Sequence, residues 1–220
     1  GLANGCAVAF PAEQKDRWCI AYAFVNAQTT RPPEFKLIPC RGNANINPAV
    51  AVSGKRVWVV WESNADGYIA IYGCWIEPNG CGKPQRLSAP DANSYNPAIV
   101  ALEDGSLFAA WDSLRGSNAE LYGAACREDQ WQPERRLTSQ ARLARHPALA
   151  AWKNQVWIAF QAQSYPGMKD NAVNDQRIAV AQLGGEQLLA PKGFFANVSD
   201  PETMLMRPRL AFDTSGRLWL

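Results

Sequence analysis

The residues in this chain most capable of chemistry recur at two kinds of position. Asn47, Asn96, His146 and Arg207 each stand directly before a proline, and Glu62, Asp112 and Gln161 each directly follow an aromatic residue. Hydrolysis of a glycosidic bond commonly needs two carboxylates flanking that bond, one as acid and one as base or nucleophile, and Glu62 and Asp112 are two carboxylates at equivalent places. His146, the single histidine, could serve as a general base given an acid partner within reach. Glu62, Asp112, His146 and Arg207 are therefore the catalytic candidates. Asn47, Asn96, Arg115, Gln161, Tyr165, Lys169 and Asp170 are the binding candidates, polar groups of the kind that orient a ligand in a concave mouth. Each has a structural alternative. Asn before Pro is a common turn dipeptide whose side chain bonds local backbone, and Glu62 and Asp112 could cap a loop or pair with Arg115. His146 and Arg207 depart from the Asn found at the equivalent places, which favours a functional role for them. The chain carries no GxSxG, no phosphate-binding glycine loop and no HExxH.

The elements that hold these residues follow from an internal repeat. Pro48, Pro97, Pro147 and Pro208 are spaced by 49, 50 and 61 residues, and Trp61, Trp111 and Phe160 follow their prolines by 13, 14 and 13. Tyr72 and Tyr122 each follow the tryptophan by 11, and Leu87 and Leu137 each precede the next proline by 10. A repeat of this length with several anchors in register marks an array of supersecondary units. Each unit reads as four short strands. Strand A is of the PAVAV type with its proline at the edge, and strand B is VWVVW, LFAAW or VWIAF. Strand C is YIAIYGCWI or AELYGAAC, and strand D contains Gln85 to Leu87 or Arg135 to Leu137. Strands this continuously apolar are buried on both faces. The fold class expected is all-β, a β-propeller of four-stranded antiparallel blades stacked face to face. The blades span approximately 1–46 (partial), 47–95, 96–145, 146–206 and 207–220 (partial). The chain thus opens in a strand B and ends in another, which predicts further blades, roughly six to eight in all. The D-to-A and B-to-C connections share one face, which carries the candidate residues.

Composition narrows the function. The chain has 220 residues, 47% hydrophobic and 19% charged, with nine Trp, as a packed globular domain requires. A net charge of +2 with no clustered basic face argues against nucleic acid as a partner. No apolar run reaches the roughly 20 residues that cross a bilayer. Six cysteines without a CxxC pair, and a histidine distant from them, give no zinc site. No cofactor or metal is expected. The even cysteine count fits either disulfides in an exported, periplasmic or extracellular protein or buried free thiols. The chain begins at Gly1 without Met, which leaves room for an upstream segment.

The stretches 97–111, 112–122 and 208–219 together resemble the repeats of bacterial exported propellers of the sialidase-like and TolB-like broad type. The resemblance covers nearly the whole chain and implies the propeller fold. A sialidase activity would further require an arginine triad and a tyrosine with an acid partner, and only Arg207 is suggestively placed for these. Asp213 to Gly216 is similar to the aspartate box of sialidases but falls in an A-to-B turn. The segment from Gly167 to the chain end is also similar to the propeller region of large bacterial proteins that carry a metal-dependent phosphoesterase-like domain. That likeness implies an accessory propeller whose catalytic domain lies outside this chain. The function expected is a non-catalytic module of a larger protein, binding a glycan, peptide or protein partner through the loop face. The alternatives are a sialidase-like glycoside hydrolase and the accessory propeller of such a metal-dependent hydrolase.

Overall fold

The computed structural model describes residues 5–26, 28, 32–139, 143–163, 177–185, 187–189 and 205–220. Every regular element among them is a strand. The first sheet holds β1 (Gly5–Gln14), β2 (Arg17–Asn26) and β3 (Lys36–Leu37), paired in that order. The second holds β4 (Asn45–Ser53), β5 (Arg56–Ser63), β6 (Ala70–Glu77), β7 (Gly80–Cys81) and β8 (Gln85–Arg86). The third repeats this plan with β9 (Asn93–Ala101), β10 (Leu107–Arg115), β11 (Asn118–Arg127), β12 (Gln130–Trp131) and β13 (Arg135–Arg136). Then come β14 (Leu143–Trp152), β15 (Gln155–Gln163), β16 (Arg177–Gly184) and β17 (Gln187–Leu189), antiparallel throughout. One parallel pairing, Ala119 with Leu143, links this set to the third. A last hairpin joins β18 (Ala211–Phe212) to β19 (Leu218–Trp219).

Two details depart from the expectation. Strand D is split in two, because Pro84 and Pro133 interrupt it. β7 and β8 both pair β6, and β12 and β13 both pair β11, with a prolyl gap that has no N–H to give. The proline of strand A sits inside the strand rather than at its edge. Register shifts between Ile46 and Ala49, between Ala110 and Asp112 on the strand facing Tyr95 and Ala98, and between Arg145 and Ala148. Each is a bulge in which the residue before the proline turns out of the ladder, so the missing donor is never called upon.

The core lies between successive sheets. Val57, Val59 and Trp61 pack with Ile20, Tyr22 and Ile38 on the first interface. Trp58 and Val60, alternating with them on the same strand, pack with Ile99, Leu107, Ala109 and Trp111 on the second. Phe108 and Ala110 face Val156, Ile158 and Phe160 on the third. This two-sided burial is why strand B reads as one apolar run, and it puts Val57–Trp61 and Leu107–Trp111 in separate stacked sheets. The outer edge is fitted with similar care. A Cβ on Gly123 would come within 2.7 Å of Phe108 Cζ and 3.0 Å of Leu137 Cδ1, so the Leu of strand D rests directly on glycine. Opposite the loop face, the A-to-B turns that follow β4, β9 and β14 are bonded in succession. The Ser53 hydroxyl donates to the Gly105 carbonyl at 2.6 Å, and the Asp104 amide donates to Asn154 Oδ1 at 3.0 Å.

Candidate functional site

The four residues before the prolines share one backbone geometry. Asn47, Asn96, His146 and Arg207 have φ of 51°, 54°, 52° and 51°, all in the left-handed region that non-glycine residues rarely adopt. Asn tolerates it best, which explains two of the four. The first three stand at strand bulges, Arg207 stands just before β18, and all four meet at one mouth. There the strand A segments enclose a funnel of about 450 Å³, lined by the four X-Pro pairs together with Ala49, Ile99, Leu149, Arg209 and Leu210.

The bulges are held by carboxylates that bridge neighbouring sheets. Glu62 Oε1 accepts the Asn47 side-chain amide at 2.9 Å within its own sheet and the Asn96 backbone N–H at 2.7 Å from the next. Asp112 Oδ1 repeats this arrangement, accepting the Asn96 side-chain amide at 2.8 Å and the His146 backbone N–H at 2.9 Å. Arg145 adds an ion pair to Asp112 Oδ2 at 3.3 Å. Both acids are buried, 4% and 1% exposed. Burial pushes the Glu62 carboxyl above its ordinary range and the nearby Asp112 charge adds to this, while bonds from Asn47 and Asn96 oppose it. Gln161 occupies the equivalent place opposite Arg145 in the next sheet and is also buried.

The funnel wall itself is cationic. Burial holds the His146 imidazole below its ordinary value, and the guanidinium groups of Arg145, Arg207 and Arg209 push the same way against Asp112. Arg209 Nη1 donates to the Pro208 carbonyl at 3.0 Å. No carboxylate lines the funnel among the described residues.

The structure gathers Asn47, Asn96, His146 and Arg207 at the funnel and sets Glu62 and Asp112 directly behind them. Arg115 lies elsewhere. It pairs with Glu134 at 2.5 Å, donates to Ser113 Oγ at 3.2 Å and stacks over the Tyr122 ring, with Cζ 3.6 Å from its centroid. The ion-pair partner of Asp112 is thus Arg145 and not Arg115. Tyr165, Lys169 and Asp170 lie outside the described residues. Asn47 and Asn96 bond carboxylates and not their own backbone, so the turn explanation for them gives way to a latch between sheets. Sequence reasoning missed Arg209, although strand alternation places it on the same face as Arg207.

This is a β-propeller, with its candidate site at the axial mouth of strand A. No protein-family model matches the chain, and no curated protein matches it in sequence. Solved structures match in fold. Trypanosoma rangeli sialidase aligns with 98% of this chain and 41% of its own at TM-score 0.67 and 10% identity. A thermostable family-43 glycoside hydrolase aligns with 97% of this chain and 82% of its own at TM-score 0.57 and 10% identity. An endo-1,4-beta-xylanase from Bacteroides thetaiotaomicron aligns with 99% and 79% at TM-score 0.55 and 12% identity. The chain therefore spans about two fifths of the sialidase. None of these three is a phosphoesterase-associated propeller, so that expected association has no counterpart among them.

Proposed function

We propose that this chain is a propeller module that binds an acidic glycan in its axial funnel without cleaving it. The observation that carries this reading is the composition of the funnel wall. Arg207, Arg209 and His146 face it, and the two carboxylates nearest to it are spent on holding backbone. Cleavage of a glycosidic bond commonly needs two carboxylates free to reach the bond. Glu62 and Asp112 each accept two hydrogen bonds, one within their own sheet and one from the next, and are sealed from solvent. The fold neighbours named as a sialidase, a family-43 glycoside hydrolase and a xylanase support a glycan as the ligand class. The same names favour the second reading, a glycoside hydrolase. In either case the remaining blades of a larger, exported propeller would complete the mouth.

Calorimetric titration with oligogalacturonate and with neutral xylo-oligosaccharide tests the proposal. A charge-assisted hydrogen bond contributes about 1.5–3 kcal/mol, so the acidic oligomer should bind at least ~10-fold tighter and lose that margin in Arg207→Ala. Reducing ends should not accumulate. Equal affinity for the neutral oligomer refutes the acidic preference. Reducing-end release that disappears in Glu62→Gln establishes the hydrolase reading in its place.

A further inference from the structure

Three cysteines converge on the interface between the first and second sheets, away from the funnel, and a fourth lies on β2. Cys74 belongs to the shared core with Ile20, Tyr22 and Ile38, and Cys40 and Cys81 pack against it. Cys19 is buried on the adjoining strand β2. All six cysteines are free thiols in this structure.

We propose that Cys40 and Cys81 are a thiol modification site, oxidised to a disulfide that staples the first sheet to the second. Strand register places Cys81 opposite Ile76, so its side chain shares the face of β6 that packs on the first sheet. Cys40 approaches from the other side. Its N–H donates to the Ile38 carbonyl at 2.7 Å, and the Ile38 N–H donates to the Ile20 carbonyl at 2.9 Å, which ties it to the first sheet. Both thiols lie in the wall of one cavity of about 470 Å³, together with Trp61, Tyr72, Arg41 and Lys83. Access selects this pair. Cys40 and Cys81 are half-buried, whereas Cys19 and Cys74 are sealed. Geometry disfavours the alternative within the second sheet. Cys74 is the diagonal neighbour of Cys81 across β6 and β7, and diagonal neighbours sit about 7–8 Å apart, beyond the reach of a relaxed disulfide.

The oxidant is a small disulfide such as oxidised glutathione, whose carboxylates the Arg41 and Lys83 charges attract. The Cys81 thiolate attacks one glutathione sulfur and releases a glutathione thiolate. The Cys40 thiolate then attacks the Cys81 sulfur of the mixed disulfide and releases the second. The two cysteine protons end on the two released thiolates, and the two electrons reduce one disulfide to two thiols. Burial pushes the Cys40 thiol up to about 11, so the second step is slow at neutral pH and quickens as pH rises. The bond would anchor a first sheet in which β1 pairs only with β2.

The test uses the full chain with Cys6→Ser, which removes the exposed thiol that could link two molecules. It is equilibrated with oxidised and reduced glutathione at pH 8.5, alkylated and digested without reduction. Mass spectrometry should find one intramolecular link, Cys40 to Cys81. Closing a loop of roughly 40 residues should raise the melting temperature of the oxidised form by roughly 10 °C. Cys81→Ser should show neither the link nor the rise, leaving Cys40 as a glutathione adduct or a free thiol. Recovery of both thiols alkylated after oxidation overturns the proposal. So does a link from either one to Cys19 or Cys74, or a thermal rise that persists in Cys81→Ser.

Discussion

Replacing Asp112 by alanine tests the latch directly. The change strands three donors at once: the Asn96 side-chain amide, the His146 backbone N–H and the Arg145 guanidinium. The first two sit beside a buried carboxylate, and leaving a buried donor unsatisfied costs about 1–3 kcal/mol each. Arg145 is 39% exposed, so water replaces its partner and the ion pair contributes at most about 1 kcal/mol. The sum is about 2–7 kcal/mol, a large part of the stability of an ordinary domain. Asp112→Asn keeps one carbonyl oxygen for the two neutral donors but turns an N–H toward Arg145, so its loss should be about 1–2 kcal/mol. Urea unfolding of the three proteins, with the slope m unchanged, reads these differences. A loss below about 1 kcal/mol in Asp112→Ala would show that the bulge holds itself and that the carboxylate is free for other work.

Three further outcomes follow from the same geometry. The native pKa of Glu62 lies above its unfolded value, so its stabilising contribution is complete below the unfolded pKa and is lost as pH rises through the native one. Relative to Glu62→Gln, the wild type should therefore lose stability as pH is raised above the ordinary carboxylate range, as unfolding titrations at a series of pH values will show. The native pKa of His146 is lowered, so its contribution is present above the unfolded value and lost as pH falls through the native one. His146→Asn restores the residue used at Asn47 and Asn96 in the same left-handed geometry. It should match the wild type within about 0.5 kcal/mol at pH 8 and exceed it near pH 5. Gly123→Ala should cost about 1–3 kcal/mol, because the new methyl meets the Ala109 carbonyl at 2.8 Å as well as Phe108 and Leu137, and backbone cannot yield. Thermal melts check it, with Gly80→Ala, which meets nothing within 4 Å, as the control.

Much of this was legible in the chain itself. The alternation inside VWVVW, with Val57, Val59 and Trp61 on one interface and Trp58 and Val60 on the other, is a local property of a strand with apolar residues on both faces. The repeated prolines, aromatics and leucines fixed where each strand recurs, and they also named the funnel residues, because equivalent positions in a radial array meet at the axis. The splitting of strand D and the interior position of Pro48, Pro97 and Pro147 in their strands were not legible. Both depend on how a bulge or gap in one strand is absorbed by its partner.

The roles of the polar groups were decided between sheets. The sequence determined that Glu62 and Asp112 occupy equivalent places one residue after a tryptophan, which suits catalysis and latching equally. Only the stacked structure shows that each acid takes its second hydrogen bond from a backbone N–H 34 residues further on, in the neighbouring sheet. Side-chain pattern records which face of a strand is oily, because burial acts on every second residue. It holds no record of backbone donors, which are identical in every residue and acquire a partner only when the sheets pack.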